Sequence, residues 1–307
     1  MTEVMRMLRF TPPEVFLPFA EAARQEPPFG QQTFRRFREL IYQLSGIYVA
    51  DNRRYFLKTR LLRRMQVLGL SSFEEYFALL TEPGPDAARE RQELLNSIVV
   101  VETHFFRSPE HFTALVRSVL PELAARRHHL RLWSAGCATG EEAYSLAMVV
   151  HREFLPAFPG VQVEILGTDL SSEAIATAQA GRYFPPSLHG MPAEYRPYLQ
   201  ESGGEYRVVP EIRALVRFAV LNLLEEASVR SMAPVDVLFC RNVLLYFSPE
   251  VRKRVASHLV DALAPGGYLF VGATETLTGI TDAVQLVHFV RTLAYRKPEG
   301  ELQVPAR

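Results

Sequence analysis

Cysteine is scarce in this sequence: the 307 residues contain two, Cys137 and Cys240. Two thiols cannot build a disulfide scaffold, and such scarcity suits a reducing compartment. Net charge is missing as well, since Lys plus Arg and Asp plus Glu each number 34. A chain that binds nucleic acid over its whole surface is basic, so no nucleic-acid partner is expected. No apolar run approaches the ~18–20 residues of a membrane span, so no membrane insertion is expected. Met1 to Phe10 carries two Arg but neither a long apolar stretch nor a small-residue cleavage site. No signal peptide is read there, and the expected location is cytoplasmic. G-x-S-x-G, P-loop and H-E-x-x-H motifs are absent. His128-His129 has no partner at a ligand spacing, so no metal is expected. The hydrophobic share, 48%, is enough for a sizeable core, and the length allows two domains at roughly 100–200 residues each.

Five prolines, Pro12, Pro13, Pro18, Pro27 and Pro28, mark residues 1–30 as a leader with at most one short helix. From Gln31 the pattern changes. Phe34, Phe37, Leu40, Ile41 and Leu44 recur at helical spacing until Gly46. Asp51 and Asn52 can cap a second helix reaching about Leu68. Ser71-Ser72 opens a third, with Phe73, Tyr76, Phe77 and Leu80 on one face, and a fourth runs from Asp86 to about Val99. Residues 31–107 therefore read as an all-helical domain with its linker.

Beyond that point short apolar runs alternate with helical patterns. Strands are expected at 130–135, 163–170, 217–223, 235–240 and 268–273, with one more at 284–295. Helices are expected from Glu141 to about Phe154, from Ser171 or Ser172 to Ala180, and from Ser248-Pro249 to Leu263, where Ser is the N-cap and Pro the first helical residue. Ser108-Pro109 reads as another such start. Strand–helix alternation implies an α/β fold, a mostly parallel, doubly wound sheet over 108–297. Residues 182–215 interrupt the rhythm with Pro185-Pro186, Gly203-Gly204 and short β-like pieces, and read as an inserted β-subdomain. Residues 298–307 form a tail.

The candidate chemistry gathers at the strand ends. In an open α/β sheet ligands bind beyond the carboxyl ends of the strands, at the switch point. After the first strand comes Gly136-Cys137-Ala138-Thr139-Gly140, then a helix starting Glu141-Glu142. Glycine lets a backbone approach a ligand closely. This is not G-x-G-x-x-G, and two acids at the helix start oppose a pyrophosphate. They suit a ligand bearing an ammonium, or they merely complement the helix dipole. Asp169 ends the next strand and can accept ribose hydroxyls, or cap the helix after Ser171. Asn222-Leu223 and Arg241-Asn242 follow later strands, with Tyr246 just beyond. Thr103-His104-Phe105-Phe106-Arg107 joins the two halves; paired Phe residues are ordinarily core. Residues 31–70 hold nine Lys or Arg (Arg35, Arg36, Arg38, Arg53, Arg54, Lys58, Arg60, Arg63, Arg64) against Glu39 and Asp51, a local net of +7. Residues 71–102 hold seven acids against two Arg, a local net of −5. The neutral total thus hides a basic helix around 51–68, which is either a solvated face or the site of an acidic partner.

These segments together resemble the chemotaxis receptor methyltransferases of the CheR type, which use S-adenosylmethionine to methylate glutamate side chains on receptors. The resemblance rests on the helix at 55–70, on Thr103 to Arg107, on Trp133 to Tyr144 with its Thr-Gly-Glu-Glu, and on Gly167-Thr168-Asp169-Leu170-Ser171. Asn222-Leu223, Cys240 to Phe247 and Ala264-Pro265-Gly266-Gly267 complete it. It covers nearly all of 31–297. It implies a class I, Rossmann-like S-adenosylmethionine methyltransferase domain behind the helical one, with S-adenosylhomocysteine as product. It implies that Thr103, Arg107, Gly136, Glu141 or Glu142 (Glu142 preferred), Asp169, Asn222, Leu223, Arg241 and Asn242 bind the cofactor, with Arg107 and Tyr246 nearest the methyl transfer. Arg53, Arg54, Lys58, Arg60, Arg63 and Arg64 would include the contacts to the methyl-accepting receptor, and the chain would be monomeric. In some members the β-subdomain docks a tether at the receptor's C-terminus. The family often has Asn two residues before the Thr, where this chain has Val101. Two other readings compete: a non-catalytic signalling or scaffold protein of the same fold, and an NAD(P)-dependent dehydrogenase, which the missing G-x-G-x-x-G disfavours.

Overall fold

The computed structural model describes residues 27–300; most of the Pro-rich leader and the end of the tail lie outside the described residues. Among the described residues four α-helices come first. α1 (Gln31–Ser45) buries Phe34, Phe37 and Ile41 on one stripe. Gly46 ends it at φ +73°, and a methyl group there would stand 2.6 Å from Val251 Cγ1. This glycine therefore serves both a left-handed cap and a close packing contact. Asp51 and Asn52 lie in a single 3₁₀ turn and give no side-chain cap to α2 (Arg54–Leu68); Asp51 instead accepts from Arg38 at 2.9 Å. α3 (Phe73–Thr81) starts with a capping box between Ser72 and Glu75. α4 (Pro85–Ile98) carries the buried Glu90. That carboxylate accepts two bonds from Arg64 of α2, at 3.0 and 2.7 Å, and one from the Tyr76 hydroxyl of α3 at 2.7 Å. One acid thus ties three helices, and Arg64, expected among the partner contacts, faces inward.

The second half is the α/β sandwich. α5 (Pro109–Ala114) and α6 (Leu120–Ala124) are joined by a π-type turn. Ser108 does not cap α5: it sits at φ +57° without a side-chain cap bond. Next come β1 (His129–Ala135), α7 (Glu141–Val149), β2 (Gln162–Asp169) and α8 (Ser172–Ala180). α7 widens into i→i+5 bonding over Val150–Phe154. Ser171 caps α8 by accepting from Ala174. In the insertion, β3 (Arg182–Tyr183), β4 (Leu199–Ser202) and β5 (Glu205–Val208) form an antiparallel sheet ordered β3-β5-β4. Gly203-Gly204, both at positive φ, make its two-residue hairpin turn. α9 (Pro210–Arg213), β6 (Val216–Val220), α10 (Glu226–Arg230), β7 (Val235–Cys240), α11 (Pro249–Ala262) and β8 (Leu263–Val271) follow. Ser248 caps α11 as expected, accepting from Val251 at 3.3 Å. β9 (Gln285–Phe289) and β10 (Thr292–Arg296) are the last elements among the described residues.

The main sheet runs β6-β2-β1-β7-β8-β10-β9. The first five strands are parallel, and β10 pairs antiparallel with both neighbours. The chain winds outward from β1 through β2 to β6, then returns to β7 on the other side. The switch point therefore lies between β1 and β7. Two expectations need correction. The run 284–295 is a hairpin and not one strand, turning at Val290-Arg291 with Arg291 at φ +68°. The strand expected at 217–223 stops at Val220, after which Leu221 N–H crosses to Asp169 O at 2.9 Å.

The helical half sits over the strand ends, held by polar ties. Asn222 Nδ2 donates to Leu44 O at 2.8 Å, and the Tyr42 and Ser248 hydroxyls hydrogen-bond at 3.0 Å. Tyr48 N–H donates to Tyr246 O at 3.1 Å beside an Ile47–Phe247 bridge.

Candidate cofactor site

Beyond Ala135 the chain must turn sharply to start α7. Gly136 takes φ +78°, where a methyl group would lie 2.4 Å from Val243 Cγ2. The Gly136 and Cys137 amides both donate to Thr168 O, at 2.7 and 2.9 Å. Ala138, at φ +47°, is held in a region costly for non-glycine residues. Its N–H donates to Asp169 Oδ2 at 2.9 Å, and Ser171 N–H donates to Oδ1 at 2.9 Å. Two backbone amides thus fix the Asp169 carboxylate and leave lone pairs for further donors. Burial raises its pKa, against the pull of those amides.

Glu142 stands one turn-position into α7. Ser134 Oγ donates to its Oε1 at 2.6 Å, and Arg241 Nη1 to its Oε2 at 3.1 Å. Their side chains are 14% and 2% exposed. Arg241 also donates to the Arg107 carbonyl, and its Nε is buried without a partner among the described residues. Burial raises the Glu142 pKa, while Arg241, Ser134 and Arg107 lower it. Burial likewise lowers that of Arg241.

A cavity of ≈ 220 Å³ opens over these groups, between the strand ends and the helical half. Gly136 and Asp169 line it from the ends of β1 and β2, Glu142 from the first turn of α7, and Asn222 and Leu223 from the segment after β6. Arg241, Asn242 and Tyr246 come from the loop after β7, and Thr103 and Arg107 from the linker. Most of the expected site residues therefore meet in one place. Glu141 does not: it is buried, its Oε2 accepting from Thr139 Oγ1 at 2.6 Å. Adjacent helical residues point about 100° apart, so only one of the pair can face the crevice. Two others arrive with their polar ends partly committed. Asn222 spends one amide hydrogen on Leu44 and its oxygen on Leu224 N–H. Arg241 turns its charge to Glu142. Asn242 sits at φ +59°.

The basic helix divides similarly. Arg54 donates to Phe29 O and to Gln31, and Arg64 to Glu90, so both side chains are engaged within the helical domain. Lys58 is half-buried on α2 and Arg63 exposed. Arg53 and Arg60 lie 5.8 and 5.1 Å from the Phe56 ring, and Arg53 and Phe56 reach the cavity. Sequence reasoning placed Arg53 among the partner contacts and missed Phe56, as well as Tyr48 and Ser134. A serine inside the buried run of β1 was the available signal for the last. Val101 is exposed and does not line the cavity, although its neighbours Val100 and Glu102 do.

A parallel sheet reversing between β1 and β7, with a glycine turn after β1, Glu142 in the first turn of α7 and Asp169 at the end of β2, is the architecture of the class I S-adenosylmethionine-dependent methyltransferases, and the family comparisons place the chain among them. The model of the CheR methyltransferase all-alpha domain matches residues 32–99, and that of the CheR methyltransferase SAM-binding domain matches 101–292. Chemotaxis protein methyltransferase 2 of Vibrio cholerae is 33% identical, covering 86% of this chain and 92% of that one. Chemotaxis protein methyltransferase 1 of Pseudomonas aeruginosa is 36% identical, covering 86% and 97%. That of Salmonella typhimurium is 35% identical, covering 82% and 86%. The chain belongs to the CheR methyltransferase family. S-adenosylmethionine, its cofactor, suits the donor set: an ammonium can meet the Glu142 carboxylate and ribose hydroxyls can meet Asp169, both of which line the cavity.

Proposed function

We propose that this protein transfers the methyl group of S-adenosylmethionine to glutamate side chains on the cytoplasmic helices of chemoreceptors, forming methyl esters. The observation that carries the reading is continuity. Arg53 and Phe56, at the head of the basic α2, line the same cavity as Glu142 and Asp169. An acidic helix laid on α2 would bring a glutamate to the cavity mouth, drawn by opposite charge.

Bound in that cavity, S-adenosylmethionine supplies a methyl group on a cationic sulfur that leaves as a neutral thioether. The protein's own share is binding and alignment. Glu142 holds the ammonium and Asp169 the ribose, while Leu223 packs against the base. The acceptor glutamate, with an ordinary pKa of ~4.3, is already a carboxylate at neutral pH and needs no general base. Cys137 offers no rival nucleophile, because burial and the neighbouring Asp169 push its thiol pKa well up. Arg107 and Tyr246 hold the incoming carboxylate in line, and alignment of this kind is worth roughly 7–11 kcal/mol.

The test is transfer of tritiated methyl from S-adenosylmethionine to a receptor cytoplasmic fragment, with the product released as methanol by mild base. Stable, base-resistant label would rule out the ester. Tyr246→Phe keeps the ring and removes the hydroxyl. Its kcat should fall roughly tenfold to a few hundredfold, matching ~1.5–3 kcal/mol for a hydrogen bond to a charged group. A single-turnover rate within twofold of wild type would sink the orienting role. Asp169→Ala should weaken S-adenosylhomocysteine binding about tenfold or more, for the same ~1.5–3 kcal/mol. Calorimetry with an unchanged Kd would remove Asp169 from the site.

A further inference from the structure

The loop Arg241–Tyr246 has to place several cavity residues at once, yet its backbone amides have no strand to pair with. Glu275, in the segment after β8, supplies the acceptors. Its Oε2 accepts from Asn242 N–H at 2.7 Å and Gly272 N–H at 2.8 Å, and its Oε1 from Leu245 N–H at 3.2 Å. The amides of residues 242 and 245 can converge on one carboxylate because Asn242 adopts φ +59°, a conformation Asn tolerates better than most residues. Gly272 permits the approach: a methyl group there would lie 2.7 Å from Glu275 Oε2 and 3.0 Å from Asn242 N. Tyr246, immediately after Leu245, is pinned from the other side by Tyr48 N–H on its carbonyl.

We infer that Glu275 is a positioning residue for methyl transfer, its carboxylate gathering the Asn242 and Leu245 amides so that Tyr246 faces the acceptor. It touches neither cofactor nor acceptor and acts through the loop. The inference rests on the acceptor reading above for its kinetic arm only. Glu275→Gln keeps the shape but turns one acceptor oxygen into a donor, which must then face an N–H. Gly272→Ala displaces the carboxylate without removing it.

Two measurements on the full chain decide the matter. Hydrogen exchange over 241–246 should quicken in both variants, with α1 and β1 unchanged. With receptor fragment and S-adenosylmethionine saturating, kcat should fall about tenfold, the scale of one charge-assisted hydrogen bond, while the S-adenosylhomocysteine Kd stays within twofold. In a Tyr246→Phe background Glu275→Gln should cost less than about threefold, because both changes act on one group. Unchanged exchange would overturn the inference outright. Faster exchange with wild-type kcat, or an undiminished fall in the Tyr246→Phe background, would reduce Glu275 to a loop staple and overturn the positioning role. If the wild type methylates no receptor fragment, the acceptor reading fails, and exchange alone still decides whether Glu275 orders the loop.

Discussion

Arg241→Met is expected to lower stability by about 3–5 kcal/mol at neutral pH, the usual cost of removing one partner of a buried ion pair. Met fills much of the space, so the loss is electrostatic more than steric. The Glu142 carboxylate would stay enclosed with Ser134 as its one direct side-chain donor, and the Arg107 carbonyl would lose its donor as well. Burial already raises the Glu142 pKa, and Arg241 is the largest influence pulling it down. Without Arg241 the pKa climbs further. The penalty belongs to the ionised form, so it is full at high pH and fades as pH falls through the raised pKa and the carboxyl takes a proton. Chemical denaturation at pH 8 and pH 5 checks this: the variant's deficit should shrink on acidification. A deficit independent of pH would assign the loss to packing. Cofactor affinity should follow the same trend in reverse, because a protonated Glu142 no longer attracts an ammonium.

Glu90→Ala should cost a similar ~3–5 kcal/mol, here within the helical domain. The change leaves the Arg64 guanidinium, most of which is enclosed, with only its 3.5 Å contact to the half-exposed Glu93, and it orphans the Tyr76 hydroxyl, which is fully buried. Hydrogen bonding to Glu90 raises the Arg64 pKa, and burial with that same contact raises the Tyr76 pKa strongly. Both shifts report groups built around this acid. Glu90→Gln retains one acceptor oxygen and should lose less. Because α2 is fastened to α3 and α4 at this point, the Ala variant should also show faster amide exchange along α2. Urea melts that coincide with wild type would show the triad to be dispensable.

What could be read from the sequence was whatever local chemistry decides. Ser248-Pro249 starts a helix through its own hydroxyl and ring, and Gly46 ends one because the left-handed cap favours glycine. The glycine turn before Glu142 and the acid at the end of β2 were legible for the same reason: strand ends collect ligands in any sheet of this kind. Features settled by distant partners were not legible. Arg64 reads as surface charge until Glu90, 26 residues on, is seen to enclose it. Asn222 reads as a ligand contact, yet its amide reaches Leu44, 178 residues away. The turn at Val290-Arg291 carries no Gly, Asn or Asp, and tertiary pairing forces Arg291 into a conformation its residue type disfavours. Ser108 looks like a cap, but the linker's unusual backbone at Phe106 and Ser108 takes it away from the helix start. Glu275 lacks any motif, being recognisable only from the amides that converge on it.

Tyr48, Val49 and Phe56 of the helical half share one cavity with Glu142 and Asp169 of the sheet half. A ligand filling it therefore contacts both halves, and its binding free energy is not the property of either. By mass action it stabilises every contact it spans, by RT ln(1 + [L]/Kd). Ligand binding therefore couples the two halves, because opening either one breaks part of the cavity wall and releases the ligand. Cofactor concentration thereby becomes a term in the integrity of the basic helix α2, whose first turn lines the same cavity.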